Sequence, residues 1–315
     1  MQADDPDLPD SVLTPGGTIP GADDQPAFVM RRRKSLAIPV LIAVPHAGRT
    51  YPDSLLQSMR HPEEAALRLE DRYVDLVARK VAEATGAALL MANAPRAMID
   101  LNRSPEDVDW EMVNGPRNTT MRARLAAGRR SRSGLGLVPR RLPGLGELWR
   151  QRMPAIELNE RIEHIHAPYH QALSKMLDSL RDRWGAALLI DMHSMPPLGP
   201  KTGADAAVDF VLGDRFGASC ESHLVSAALD HFDERGLRAA HNRPYAGGYV
   251  LDRHGAPARA VSAMQLEICR AAYLDAPLRE PADGLDHVAE ELVLLVRRLA
   301  DEVCKGAQGF AQAAE

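Results

Sequence analysis

The chain has 315 residues, 45% hydrophobic and 26% charged, ordinary globular usage that excludes wholesale disorder, a collagen repeat and a long coiled coil. A formal net charge of −5 argues against a chain-wide basic footprint for nucleic acid, and no apolar run approaches the roughly 18 residues of a membrane span. Cys220, Cys269 and Cys304 form no CxxC pair and cannot all be paired, and the acidic, proline-rich start lacks the order of a signal peptide. A soluble protein in a reducing cytoplasm is therefore expected.

Residues 1–27 are rich in Asp, Pro and Gly and read as a disordered tail, followed by a single domain over 28–305. Arg31, Arg32, Arg33 and Lys34 read as a solvated segment before the first strand, which starts after Pro39 and runs to Val44. A helix is expected over 63–84 and a short buried strand over Ala87–Met91. Pro95–Arg103 alternates apolar and polar residues, as in a strand with one face in a cleft. Residues 115–146 carry Arg117, Arg122, Arg124, Arg129, Arg130, Arg132, Arg140 and Arg141 and read as a surface insertion, a loop or lid.

Further on, Leu158, Ile162, Ile165, Tyr169, Leu173, Met176 and Leu180 recur in steps of three and four, one face of a helix that Pro168 should kink or break. Ala186–Ile190 forms a strand running into Asp191, Met192, His193 and Ser194. A strand over Ala207–Leu212, a helix over 218–234, a strand over Val261–Ile268 and a helix over 284–304 complete the chain. Strands alternating with helices give an α/β domain: a mostly parallel or mixed sheet with helices on both faces.

In such sheets ligands gather at the carboxyl ends of strands. His46 follows the first central strand, Asp191 and His193 end another, and Glu70, Asp71 and Asp75 lie in or beside a helix between them. Two neutral imidazoles and one carboxylate make a catalytic zinc set that leaves a position for water. A rival cluster is His164, His166 and His170; His166 and His170 would share a helix face, but Pro168 intervenes and no carboxylate falls on that face. Asn102 with Arg103 suits carboxylate recognition, since a guanidinium offers a bidentate fork and an amide adds a donor. Glu267, between Leu266 and Ile268, points away from their face and could act as a general base. Gly247 and Gly248 mark a close backbone approach.

Seven segments then carry a resemblance: Pro45–Pro52 (PHAGRTYP), Asp71–Asp75 (DRYVD), Asp100–Arg103 (DLNR), Ala167–His170 (APYH), Asp191–Ser194 (DMHS), Tyr245–Tyr249 (YAGGY) and Gln265–Arg270 (QLEICR). In this order, over about residues 37–300, the chain resembles the N-formylglutamate amidohydrolase family. The resemblance implies a zinc-carboxypeptidase-like fold, one Zn²⁺ per chain and hydrolysis of N-formyl-L-glutamate or a close N-acyl amino acid to a carboxylate and a free amino acid. Carried over by position, it implies His46, Asp71 and His193 as ligands, Asn102 and Arg103 as the carboxylate clamp and Glu267 as the base; the developing oxyanion is the other group that Arg103, as a catalytic residue, could meet. Arg96 and Arg270 are the spare cations for a dicarboxylate. Ala47 stands where the family often has Ser, and Glu70 is a second carboxylate beside Asp71. The alternatives are a carboxypeptidase-like or other peptide hydrolase of the same fold and a non-enzymatic, nucleic-acid-associated protein using the Arg-rich segment.

Overall fold

The computed structural model describes residues 10–114, 134–200 and 207–313. The first part contains β1 (Ser11–Gly16), β2 (Phe28–Arg33), β3 (Val40–Val44), α1 (Asp53–Ser58), α2 (Pro62–Leu69), α3 (Val74–Thr85) and β4 (Ala88–Ala92). Four two-residue strands follow: β5 (Val113–Asn114), β6 (Arg141–Leu142), β7 (Gly146–Glu147) and β8 (Met153–Pro154). The second half holds α4 (Ala155–Arg161), α5 (Ala167–Trp184), β9 (Ala187–Met195), β10 (Phe210–Gly213), α6 (Ser222–Glu234), β11 (Ala239–His241), α7 (Tyr249–His254), β12 (Val261–Cys269) and α8 (Gly284–Ala313).

The main sheet has eight strands in the order β1-β2-β4-β3-β9-β12-β10-β11. Its centre, β4-β3-β9-β12, is parallel, β10 runs antiparallel to β12 and parallel to β11, and β2 joins β4 antiparallel. This is the α/β architecture with a mixed, mostly parallel sheet. All residues of β3 are buried, because a strand covered on both faces needs a continuous apolar run. One face packs on α5 through Tyr169, Leu173, Met176, Leu177 and Leu180. The other packs on α3, α6 and α8, with Val77, Leu224, Leu292 and Leu299 inward. None of the helices among the described residues is long and apolar enough to cross a membrane.

The structure corrects several local expectations. Residues 1–9 lie outside the described residues, but the rest of the supposed tail is folded: β1 pairs with β2 from Ser11 to Gly16, and Ile19 and Ala27 are fully buried. The low apolar content of this stretch misled because two buried residues and a backbone ladder suffice to anchor it. Arg31–Arg33 likewise belong to β2, an antiparallel strand whose other side takes β4. The 63–84 helix is two helices, interrupted at Glu70–Tyr73, where Glu70 is extended and Tyr73 is left-handed at φ 55. Pro95–Arg103 is a chain of turns with Met98 N and Arg103 N bonded to Pro95 O and Asp100 O, so its alternation reflects burial on a packed loop.

Of the Arg-rich stretch, 115–133 lies outside the described residues; 134–139 is largely buried rather than a surface loop, while 141–146 is mostly exposed. Leu137 is fully buried, its carbonyl accepts from Asp100 N at 2.7 Å, and Arg140 is paired with Asp109, Glu111 and Glu147. Pro168 does not break its helix. A π-helical turn, Ile162–His166, joins α4 to α5. Proline cannot donate to the carbonyl four residues back, and that carbonyl, His164 O, instead accepts from Thr18 N at 3.0 Å. The N-terminal segment thus fills the gap that Pro168 opens.

If this segment is integral, Ile19→Ala should cost about 2–5 kcal/mol, the usual loss for truncating a buried aliphatic side chain. Chemical denaturation checks it; an unchanged midpoint would show that the segment is not part of the cooperative unit.

Candidate metal centre

Strand parity builds the site. On the face toward α5, β9 presents Ala187 and Leu189 and then, two residues apart, Asp191 and His193; β12 presents Val261 and Ala263 and then Gln265 and Glu267. Side chains alternate faces along a strand, so each strand changes from apolar to polar on one face as it reaches its carboxyl end. Glu267 lies directly across from His193, and Gln265 across from Asp191. His46 follows the carboxyl end of β3, next in the sheet to β9.

Asp71 arrives from the break between α2 and α3. Its N–H donates to His46 O at 2.9 Å, and the extended Glu70 and left-handed Tyr73 let the chain turn there. Arg270, at the end of β12, braces the turn: Nη1 donates to Leu67 O, Nη2 to Glu70 O and to Asp71 Oδ1, and Nε to Ser194 Oγ. Arg49 grips Asp75 with two bonds of 2.9 and 3.0 Å at the start of α3. Glu70 is turned to Arg72 at 3.0 Å, so Asp71 supplies the oxygen that meets the histidines.

His193 Nδ1 lies 3.1 Å from His46 Nδ1 and 3.0 Å from Asp71 Oδ2, and His46 Nδ1 is 3.5 Å from the same oxygen. All three side chains are buried. The far side of each ring meets a carboxylate: His46 Nε2 is 2.8 Å from Asp100 Oδ1 and His193 Nε2 is 2.8 Å from Asp191 Oδ2. A carboxylate only accepts, so each Nε2 carries the proton and each Nδ1 directs its lone pair to the common point. His46, Asp71 and His193 could bind a metal ion, and they are the one such group among the described residues.

Electrostatics favour a cation there. Burial alone would raise the Asp71 and Asp100 carboxyls, but His193 and His46 on the first, and Arg96, His46 and Arg103 on the second, outweigh it and hold both well below their ordinary values. Burial likewise opposes charge on His193, yet Asp191 and Asp71 raise it well above the usual imidazole range. Burial pushes the Glu267 carboxyl up to about 7, and Gln265 Nε2 donates to Glu267 Oε1 at 2.8 Å.

A cavity of about 400 Å³ opens over these groups, lined by His46, Asp71, His193 and Glu267 and by Arg96, Asn102, Arg103, Arg270 and Gly247. Gly248 does not line it but lies beneath Asn102: a Cβ there would come within 2.5 Å of Asn102 Oδ1, and Val250 N donates to that oxygen at 2.9 Å. Arg103 is fixed by Leu135 O and Asn102 O at 2.9 and 2.7 Å, and Arg96 by Asp100 at 2.9 Å. Sequence reasoning missed Asp100 and Asp191 as partners of the histidines, although Asp191, two residues before His193 on a strand, had to share its face. It also missed Arg68, which lines the cavity from α2, because nothing local marks an exposed helix arginine.

The sequence profile of the N-formylglutamate amidohydrolase family matches residues 38–274. The chain belongs to that family. N-formylglutamate deformylase of Pseudomonas putida is 29% identical over 265 residues, 83% of this chain and 91% of the relative. That of Pseudomonas aeruginosa is 29% identical over 272 residues, 84% and 92%. The crystal structure of N-formylglutamate amidohydrolase from Ralstonia eutropha JMP134 superposes with a TM-score of 0.79 at 31% identity, covering 89% of this chain and 99% of that one. In this amidohydrolase-family chain all the converging groups lie within the matched span.

Carboxylates behind metal-binding histidines typically contribute 10–100-fold in metal affinity. Asp191→Asn should therefore weaken metal binding by about 10–100-fold in a chelator competition while the fold is kept. Unchanged affinity would remove Asp191 from the centre.

Proposed function

We propose that this chain is a zinc-dependent amidohydrolase that cleaves N-formyl-L-glutamate, or a close N-acyl amino acid, to formate or the corresponding carboxylate and the free amino acid. The observation that carries the reading is the convergence of His46, Asp71 and His193 directly beside a buried Glu267, under a cavity rich in arginine. Donors about 2.0–2.1 Å from a zinc ion at tetrahedral angles lie about 3.3 Å apart, and the three separations here are 3.1, 3.0 and 3.5 Å. The residues fit the metal. Family membership and the deformylase relatives support the substrate.

When bound, zinc lowers the pKa of a coordinated water toward about 7 and polarises the acyl oxygen. The remaining work falls to the chain. Glu267, desolvated and raised to about 7, takes a proton from the attacking water. It passes that proton to the leaving nitrogen as the C–N bond breaks, base first and then acid. Asn102 and Arg103 receive the α-carboxylate, the strongest handle on a substrate whose amine charge is lost to acylation. Arg96 stands by for a second carboxylate, while Arg270 faces the cavity with its nitrogens donated to the Asp71 turn and Ser194. Gly247, at φ 98, keeps the cavity wall free of a side chain.

The test is release of formate from N-formyl-L-glutamate by wild type and by Glu267→Gln. Wild type should lose activity to a chelator and regain it with zinc. Glu267→Gln should keep its metal and lose about 10²–10⁴ in turnover, the usual worth of positioned proton transfer. Wild type that ignores metal removal, or an unimpaired Glu267→Gln, would overturn the reading.

A further inference from the structure

Of the rival cluster, His164 is exposed, whereas His166 and His170 are gathered around the backbone of one loop. Helix α5 and the π turn before it bring the His166 and His170 rings to 4.4 Å between centroids. His254, at the end of α7, stacks on His170 at 5.2 Å and 15°, and Tyr249 packs against both His166 and His170. His166, His170 and His254 are all buried.

Their partners decide what they do. His166 Nε2 is 2.9 Å from Arg103 O, and His170 Nε2 is 3.0 Å from Leu101 O. Carbonyls only accept, so both rings carry the Nε2 proton. His170 Nδ1 then has only a lone pair, and the His254 Nε2 that lies 2.9 Å from it must be the donor. That leaves His254 Nδ1 to accept from the Ser174 hydroxyl at 3.4 Å. The chain runs one way: Ser174 to His254 to His170 to Leu101 O. Burial, first of all, holds the three imidazoles below their ordinary pKa, His254 at about 3. Protonating His170 would set two N–H groups face to face.

The held loop is the one that carries Asn102 and Arg103. It lies in no strand, so no ladder satisfies its carbonyls, and a buried carbonyl without a donor is costly. Around it, Asp100 Oδ1 accepts from Asn102 N, Val250 N donates to Asn102 Oδ1, and Leu135 O accepts from Arg103 Nε. The carbonyls of Leu101 and Arg103 accept from imidazoles, His170 on α5 and His166 on the π turn before it.

We propose that His166, His170 and His254 are positioning residues: His166 on Arg103 O, and His254 acting through His170 on Leu101 O, hold the Leu101–Arg103 backbone so that Asn102 and Arg103 meet the substrate's carboxylate. The carboxylate assignment rests on the function proposed above; the hydrogen-bond chain does not. A metal role for this cluster is set aside, because the Nε2 atoms of His166 and His170 are spent on carbonyls.

The experiment has two arms on the zinc-loaded enzyme. Long-range proton–nitrogen NMR of ¹⁵N-histidine-labelled wild type should show His170 and His254 as neutral Nε2–H tautomers; an Nδ1–H tautomer at His170 overturns the chain whether or not the enzyme cleaves N-formyl-L-glutamate. In the kinetic arm, His166→Leu and His170→Leu should keep their zinc and raise KM for N-formyl-L-glutamate at least about tenfold, with kcat little changed. The Gln variants, which keep a donor near the Nε2 position, should recover most of this. The loss should shrink on the substrate's α-amide. Leu variants with wild-type KM, Gln variants no better than Leu, or an equal loss on acid and amide would each overturn the proposal. If the Leu variants fail to fold, the tautomer spectrum decides, and wild type inert toward N-formyl-L-glutamate would count against the function while leaving the spectrum to test the chain.

Discussion

Two imidazole Nδ1 atoms 3.1 Å apart, each with a carboxylate behind it on Nε2, and a third carboxylate oxygen 3.0 and 3.5 Å from them, form the constraint around which this molecule is arranged. Lone pairs this close repel unless a proton or a cation lies between them, and the three side chains are buried, so bulk solvent screens the repulsion weakly. Asp71 Oδ2 adds a carboxylate oxygen to the two ring nitrogens, and such a donor set favours a cation at the common point. Every supporting contact holds a donor in that geometry: Asp100 and Asp191 fix the rings, and Arg270 and the His46 carbonyl fix Asp71.

The scaffold meets the constraint by parity and adjacency. β3, β9 and β12 are neighbours in a parallel run, so their carboxyl ends open on one edge of the sheet. The same alternation that buries Leu189 and Ala263 against α5 directs His193 and Glu267 into the cavity. Asp71 and the Asn102–Arg103 loop come from outside the strands, and both carry extra bracing: the Arg49–Asp75 and Arg270 contacts for the first, imidazoles, Val250 N and Leu135 O for the second.

Much of this was legible in the sequence. Buried parallel strands announce themselves as short apolar runs, and the tips of two of them carried His46 and His193. The position of Glu267 followed from alternation with Leu266 and Ile268. What was not legible depended on long-range partners. A helix pattern over 63–84 cannot show the break at Glu70–Tyr73, because the apolar spacing resumes after it and the break is held by His46 O and Arg270. Ile19 stands among polar residues, glycines and prolines and Leu137 in an Arg- and Gly-rich stretch, and only the fold shows that both are buried. The exposed Arg68 and the hub role of Asp100 arise from elements distant in sequence.

X-ray absorption at the zinc edge of the purified protein probes the proposed His46–Asp71–His193 centre itself. One zinc per chain, with two imidazole nitrogens and oxygen ligands at about 2.0–2.2 Å and no sulfur shell, is expected. Zinc without an imidazole signature, or zinc ligated by cysteine sulfur, would contradict it.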